Sequence, residues 1–195
     1  MTVEDSSPND TELMLQLQGG DDIALNALMT RWQQPLVNFI YRYIGNETEA
    51  LDLAQETFVR VFESRHRYKP SAKFSTWLFT IASNLCRNFF RWQSRHPTVP
   101  LTAETDDSNL AERATADRAA SPAEAAEQRE RAEAVRRHIH ALPHDLKSAI
   151  LLFEYEDLSH QEIAGVLGCS VKAVETRLYR ARNILREKLA PAGIR

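Results

Sequence analysis

Leu158-Ser159-His160-Gln161-Glu162-Ile163-Ala164-Gly165-Val166-Leu167-Gly168-Cys169-Ser170-Val171-Lys172-Ala173-Val174 is the stretch from which the fold is read. Ser159 followed by Glu162 forms a capping box that opens one helix, Gly168 supplies a turn, and Ser170 caps a second helix. Small Ala164 permits a close helix crossing, while Ile163, Leu167, Val171 and Val174 supply a shared core. This is the layout of a helix-turn-helix. At roughly 100° per residue, Val171, Val174, Leu178, Ala181 and Leu185 fall on one side of the second helix. The opposite side shows Lys172, Ala173, Thr176, Tyr179, Arg180 and Asn183, with Arg177 and Arg182 on the flanks. Such a face suits a DNA groove: side chains near the helix start reach base edges, and cations and hydroxyls along it meet phosphates. The plainer alternative is a solvated basic run that only complements the helix dipole. Glu175 counts against a purely phosphate-driven surface, and suits a cytosine amino group or a neighbouring arginine.

Working outward, helical apolar spacing continues almost everywhere and glycine numbers only 6 in 195 residues, so the chain reads as all-α. Helices are expected at about 10–18, 21–44, 47–66, 74–93, 122–141, 144–155, 159–166 and 170–189, with Gly19-Gly20, Gly45-Asn46, Tyr68 to Ser71, Pro143 and Gly168 as breaks. Residues 97–120 are acidic, hold two prolines and carry few large apolar side chains, so they read as a flexible linker. Ser121-Pro122-Ala123-Glu124 then has the form of a helix start. The expected organisation is an acidic segment with a first helix at 1–24, a helical domain at 25–96, the linker, and a second helical domain at 121–195.

The formal net charge of −3 is a sum over unlike parts. Residues 1–24 carry −6, 25–96 carry +5, 97–134 carry −5 and 135–195 carry +3. From Ser64 to Ala103 there are seven basic residues and no acid. Two basic blocks, each suited to nucleic acid, therefore flank an acidic one. The longest apolar runs, such as Ala149 to Phe153, fall far short of the roughly 18 to 20 residues that span a bilayer. The acidic amino terminus is unlike a secretory signal, so a cytoplasmic location is expected. Cys86 and Cys169 stand alone, which suits reduced thiols rather than a disulfide framework. No metal, cofactor or catalytic constellation is expected. His138, His140 and His144 read as structural or solvated, with Pro143 breaking the register between the last two.

Two further elements carry chemistry. In the helix at 74–93, Phe74, Leu78, Ile81, Leu85, Phe89 and Trp92 are expected on the apolar side. Thr76, Thr80, Ser83, Asn84, Arg87 and Arg91 are expected on the other, with Phe79 and Phe90 towards its edge and Trp77 between. Hydroxyls, amides and arginines beside aromatics suit single-stranded nucleic acid, although an all-core role for the rings reads equally well from this helix alone. In the helix at 47–66, Asp52, Gln55 and Glu56 share one face, which is either solvated or a docking site for a basic partner.

With these motifs in this order, the chain resembles the extracytoplasmic-function group of the bacterial sigma-70 family. The resemblance places region 2 at about 25–96 and region 4 at about 135–190. It implies that Asp52, Gln55 and Glu56 dock on the β′ clamp helices of core RNA polymerase, with the β flap as a further contact. It further implies that Lys73, Trp77, Thr80, Asn84, Arg87, Asn88 and Arg91 capture an opened −10 strand. Lys172, Ala173, Thr176, Arg177, Tyr179 and Arg180 would read the −35 element in duplex promoter DNA. An anti-sigma partner and a monomeric free state are further expectations, and weak binding to promoter DNA alone is expected because an overall acidic chain divides its phosphate contacts between two small patches. Glu175 stands where many relatives carry a basic residue. A freestanding helix-turn-helix regulator is the rival reading, and it expects a dimer on palindromic DNA. A metal-assisted phosphodiesterase is a weaker rival, since no element presents ligands at metal spacing.

Overall fold

Asn9 and Glu12 exchange two hydrogen bonds at the start of α1 (Asp10–Gln18), the Asn9 side chain accepting from the Glu12 amide and the Glu12 carboxylate accepting from the Asn9 amide. The computed structural model describes residues 8–96 and 122–190. Within them run α2 (Ile23–Ile44), α3 (Glu47–Glu63), α4 (Phe74–Arg95), α5 (Pro122–His140), α6 (His144–Glu154), α7 (His160–Leu167) and α8 (Val171–Leu189). No strand occurs among the described residues. The linker and the Ser121 cap lie outside them.

The all-α expectation holds, and two boundaries move for local reasons. Asp21 accepts from the Ile23 amide at 3.0 Å, so α2 begins two residues after the expected position. α3 stops at Glu63, because the Ser64 hydroxyl turns back onto the Arg60 carbonyl and the chain tightens into a 3-10 turn at Arg65–Arg67.

The acidic beginning of the described chain is largely structural. Leu13, Met14 and Leu17 of α1 are buried, and Asp10 pairs with Arg31 while accepting from the Trp32 indole at 3.0 Å. Gln18 donates to the carbonyls of Arg65 and Tyr68 at 2.7 and 3.0 Å. α1 thereby belongs to the bundle of α2, α3 and α4, whose core includes Leu28, Phe39, Val61, Leu78 and Phe79.

α6, α7 and α8 form a second bundle around Leu151, Leu152, Ile163, Val174 and Leu178. It does not stand apart: α2 packs on α5 and α6, and α4 packs on α7. Tyr43, fully buried, occupies the seam. Its hydroxyl accepts from Ser148 Oγ at 3.1 Å and faces the His144 carbonyl at 3.4 Å, while the His144 ring stacks on the phenol. Lys147 is only 2% exposed and donates to the Tyr43 carbonyl at 3.3 Å, its ammonium lying over the Tyr43 and Phe90 rings. Burial pushes the Lys147 ammonium down to about 8 and the phenol up to about 12. Next to them Gly45 has φ 83°, and an added Cβ would stand 2.8 Å from the His140 imidazole. Only glycine satisfies both demands. His140 and His144 are thus packing groups in the seam.

Burial, with Lys147 and Arg136 nearby, holds the His140 imidazole down to about 4. The unfolded chain therefore takes up the proton first, so this contribution is intact above the ordinary histidine value and is lost as pH falls from about 6.5 towards 4. This site contributes a slope of at most about 1.4 kcal/mol per pH unit between pH 7 and 4, and Glu156, pushed up to about 7 by burial, contributes with the opposite sign, so the check is the difference in calorimetric melting between wild type and His140→Gln. His140→Gln should flatten that slope above pH 5.

Candidate nucleic-acid interface

In the helix-turn-helix, each local signal is realised. Ser159 Oγ accepts from the Glu162 amide at 3.3 Å, and Glu162 Oε2 accepts from the Ser159 amide at 2.8 Å. Gly168 adopts φ 60°, and Ser170 Oγ accepts from the Ala173 amide at 3.2 Å. Val174, Leu178 and Ala181 are buried, which turns the opposite side of α8 to solvent. Val171 departs from the expected core, being 40% exposed at the first turn.

Lys172, Thr176, Tyr179 and Arg180 are exposed on the outward side of α8, and Ala173 is half-buried at its edge. Tyr179 is 69% exposed, an unusual state for a large ring without a partner to stack on. Arg177 is placed differently: its guanidinium donates to Asp145 and to Cys169 Sγ, each at 3.2 Å. Arg182 likewise donates to Glu154 at 2.8 Å and lies over the Phe153 ring. These two arginines brace α8 against α6, with Arg177 held at the edge of the outward face.

The α4 surface departs from the expected pattern. Ser83, expected on the polar side, is 1% exposed with its hydroxyl unpartnered, and Phe79 is 1% exposed in the core. Trp92, expected on the apolar side, is 56% exposed and stacks on His96. Phe79 is drawn into the first bundle against Trp32 and Phe39 of α2, and α4 is packed both by α2 and α3 and by α7. Asn84, Asn88 and Arg91 remain exposed, and Arg87 is half-buried with Nη1 3.5 Å from Asn84 Oδ1. Thr80 bonds back to the Thr76 carbonyl at 2.7 Å, and Trp77 is half-buried against Tyr68 and Phe74. A groove between α3 and α4, lined by Glu56, Arg60, Glu63, Arg67, Ile81 and Asn84, lies beside this surface.

Lys73 is where the two candidate surfaces meet. Its ammonium lies 2.8 Å from Glu162 Oε1 of α7, and the ammonium and the Ser159 hydroxyl hold that carboxyl down to about 2. Gly165 sits over Thr76, where an added Cβ would lie 3.6 Å from its methyl group. In this arrangement the first turn of α4 packs beside the helix-turn-helix while the Lys73 side chain still reaches solvent.

On α3, Asp52 and Gln55 are exposed, and Glu56 pairs with Arg60 at 2.7 Å. Leu51 and Val59, 40% and 50% exposed, stand beside them. Sequence reasoning passed over these two apolar residues, although their place next to Asp52 and Gln55 in the heptad was a readable signal. The buried Lys147 had no such signal, because its neighbours in sequence describe an ordinary amphipathic turn.

Family comparisons agree with this arrangement. Residues 28–96 match the profile of sigma-70 region 2, and residues 132–185 match that of sigma-70 region 4. The chain is 33% identical to the RNA polymerase sigma-H factor of Pseudomonas aeruginosa, over 93% of its own length and 94% of that protein. It is 32% identical to the ECF RNA polymerase sigma-E factor of Haemophilus influenzae, over 93% and 96%. Among solved structures it is similar to CnrH in complex with the cytosolic domain of CnrY, with a TM-score of 0.68 and 27% identity over 93% of this chain and 97% of that one. The matched profiles and relatives define the class, that of sigma factors, which are non-enzymatic transcription initiation factors. The chain belongs to the ECF group of RNA polymerase sigma factors.

The Lys73 side chain is 74% exposed, so its ion pair with Glu162 is screened. Lys73→Met should change unfolding free energy by less than about 1 kcal/mol in a urea titration. Glu162→Ala removes the capping side chain as well and should cost about 1 kcal/mol.

Proposed function

We propose that the chain binds core RNA polymerase and directs it to promoters through two DNA-facing surfaces. Residues 25–96 act as region 2, with residues 1–24 preceding it, residues 97–120 as the linker and residues 121–195 as region 4. Asp52, Gln55 and Glu56 of α3 dock on the β′ clamp helices, and region 4 meets the β flap. Lys172, Ala173, Thr176, Arg177, Tyr179 and Arg180 read the −35 element. Lys73, Trp77, Thr80, Asn84, Arg87, Asn88 and Arg91 capture the opened −10 strand.

The observation that carries this reading is the exposed face of α8, where Lys172, Thr176, Tyr179 and Arg180 stand on the second helix of a fully capped helix-turn-helix. Its partner surface on α4 combines exposed amides and an arginine with half-buried aromatics, which suits bases taken out of the stack. Lys73 is paired with Glu162, so capture of the −10 strand requires α7 to leave α4. That step separates a free chain that binds DNA weakly from a polymerase-bound one that binds promoters. The likeness to CnrH held with the cytosolic domain of CnrY supports a polypeptide regulator, an anti-sigma factor, as a further partner. Among the described residues no helix is long and apolar enough to cross a membrane. A cytoplasmic monomer is the working form.

Reconstituted transcription with bacterial core polymerase and host promoter fragments tests the reading. Promoter-specific transcripts are expected with the wild-type chain, and a Gln55→Ala, Glu56→Ala double variant should lose roughly thirtyfold if the pair is a docking hot spot. No transcripts, together with tight dimeric binding of the chain alone to a palindrome, would identify a freestanding regulator instead.

A further inference from the structure

At the edge of the outward face of α8, Glu175 is an acid beside cations and hydroxyls, and the structure places it against Lys172. Glu175 Oε2 lies 3.4 Å from Lys172 Nζ, and both side chains reach solvent, 46% and 88% exposed. The arginines that flank this face are committed elsewhere, Arg177 to Asp145 and Arg182 to Glu154. Glu175 therefore does not orient a neighbouring arginine. Lys172 and Glu175 are the second and fifth residues of α8, in the first two turns that lie nearest base edges when such a helix enters the major groove.

A carboxylate in that position cannot serve a phosphate, because like charges repel. It is an acceptor only, so it needs a base that presents a donor. Two bases do, adenine through N6 and cytosine through N4. Adenine sets the N7 lone pair beside its amino group, which faces a carboxylate with a second acceptor. Cytosine offers N4–H with no acceptor on its own edge, and the O6 acceptor of its paired guanine lies next to it. A donor beside an acceptor on the base pair is the complement of a carboxylate beside an ammonium on the helix.

We propose that Lys172 and Glu175 together read one C·G pair in the upstream promoter element, Glu175 accepting from cytosine N4 and Lys172 donating to guanine O6 of the same pair. This rests on the reading of α8 as the −35 helix and adds the base that it selects. The ion pair in the free chain keeps the exposed carboxylate beside its cation, so both groups arrive at the groove already adjacent.

The test uses holoenzyme reconstituted from the full chain and bacterial core polymerase, on promoters randomised across the upstream element, with transcripts sequenced. Wild type should enrich cytosine at one position by roughly tenfold. Glu175→Ala should abolish that enrichment while other positions keep theirs. Glu175→Gln should move it towards adenine, whose N6 and N7 match an amide. Lys172→Ala should weaken preference at the same position, through its paired guanine. An unchanged base profile in Glu175→Ala overturns the proposal, leaving Glu175 as a tether for Lys172. A uniform change at every position also overturns it, since Glu175 would then act through the field on phosphates. If wild type yields no promoter-specific transcript at all, the sigma reading fails first and the base assignment falls with it.

Discussion

A phenol, an ammonium and an imidazole are packed together where the two helical bundles meet, and the placement of α7 against α4 depends on that packing. Tyr43, Lys147, Ser148 and His144 bring polar groups into a seam that is otherwise apolar. Two of these groups have acceptors, Lys147 the Tyr43 carbonyl and the Ser148 hydroxyl the phenol, which offsets most of the cost of burying them, while His144 Nδ1 is buried without a hydrogen-bond partner among the described residues. Such hydrogen bonds are directional, which gives the seam one preferred register where an all-apolar contact would allow several. Gly45 completes the fit by letting His140 approach the backbone.

The seam brings α7 over α4, and Glu162 then takes on two roles. It closes the capping box of the helix-turn-helix through Ser159, and it holds Lys73 of the other bundle. The first role is local and persists wherever region 4 goes. The second exists only while the bundles are together, and its cation is well exposed, so the contact is cheap to exchange for another anion. The apolar and hydrogen-bonded seam therefore carries most of the closure, and the ion pair sets which anion occupies Lys73.

The outward face of α8 is organised by the opposite principle. Arg177 and Arg182 are tied to carboxylates of α6, so the helix is braced from its flanks. Lys172, Thr176, Tyr179 and Arg180 are then presented from a rigid helix rather than from a loop. Presentation of this kind favours base readout, because side chains that start from a fixed helix lose less freedom on meeting the groove.

Much of this was legible in the sequence, for a common physical reason. Capping boxes at Ser159, the turn at Gly168, and apolar residues at helical spacing are decided within one or two turns, so the all-α class and the helix-turn-helix follow from short-range chemistry alone. What the chain does at a distance was not legible. Tyr43 and Ser148 are 105 residues apart, and nothing in either neighbourhood marks them as partners. The same holds for the burial of Ser83 and Phe79 and the exposure of Trp92: a single helix has one hydrophobic stripe by periodicity, but α4 is packed on two sides. Asp10 read as part of an acidic segment, and became an indole anchor once α1 docked. Local patterning determined the helices and the polar and basic faces they carry, while the docking of two apolar faces decided which of those side chains reach solvent.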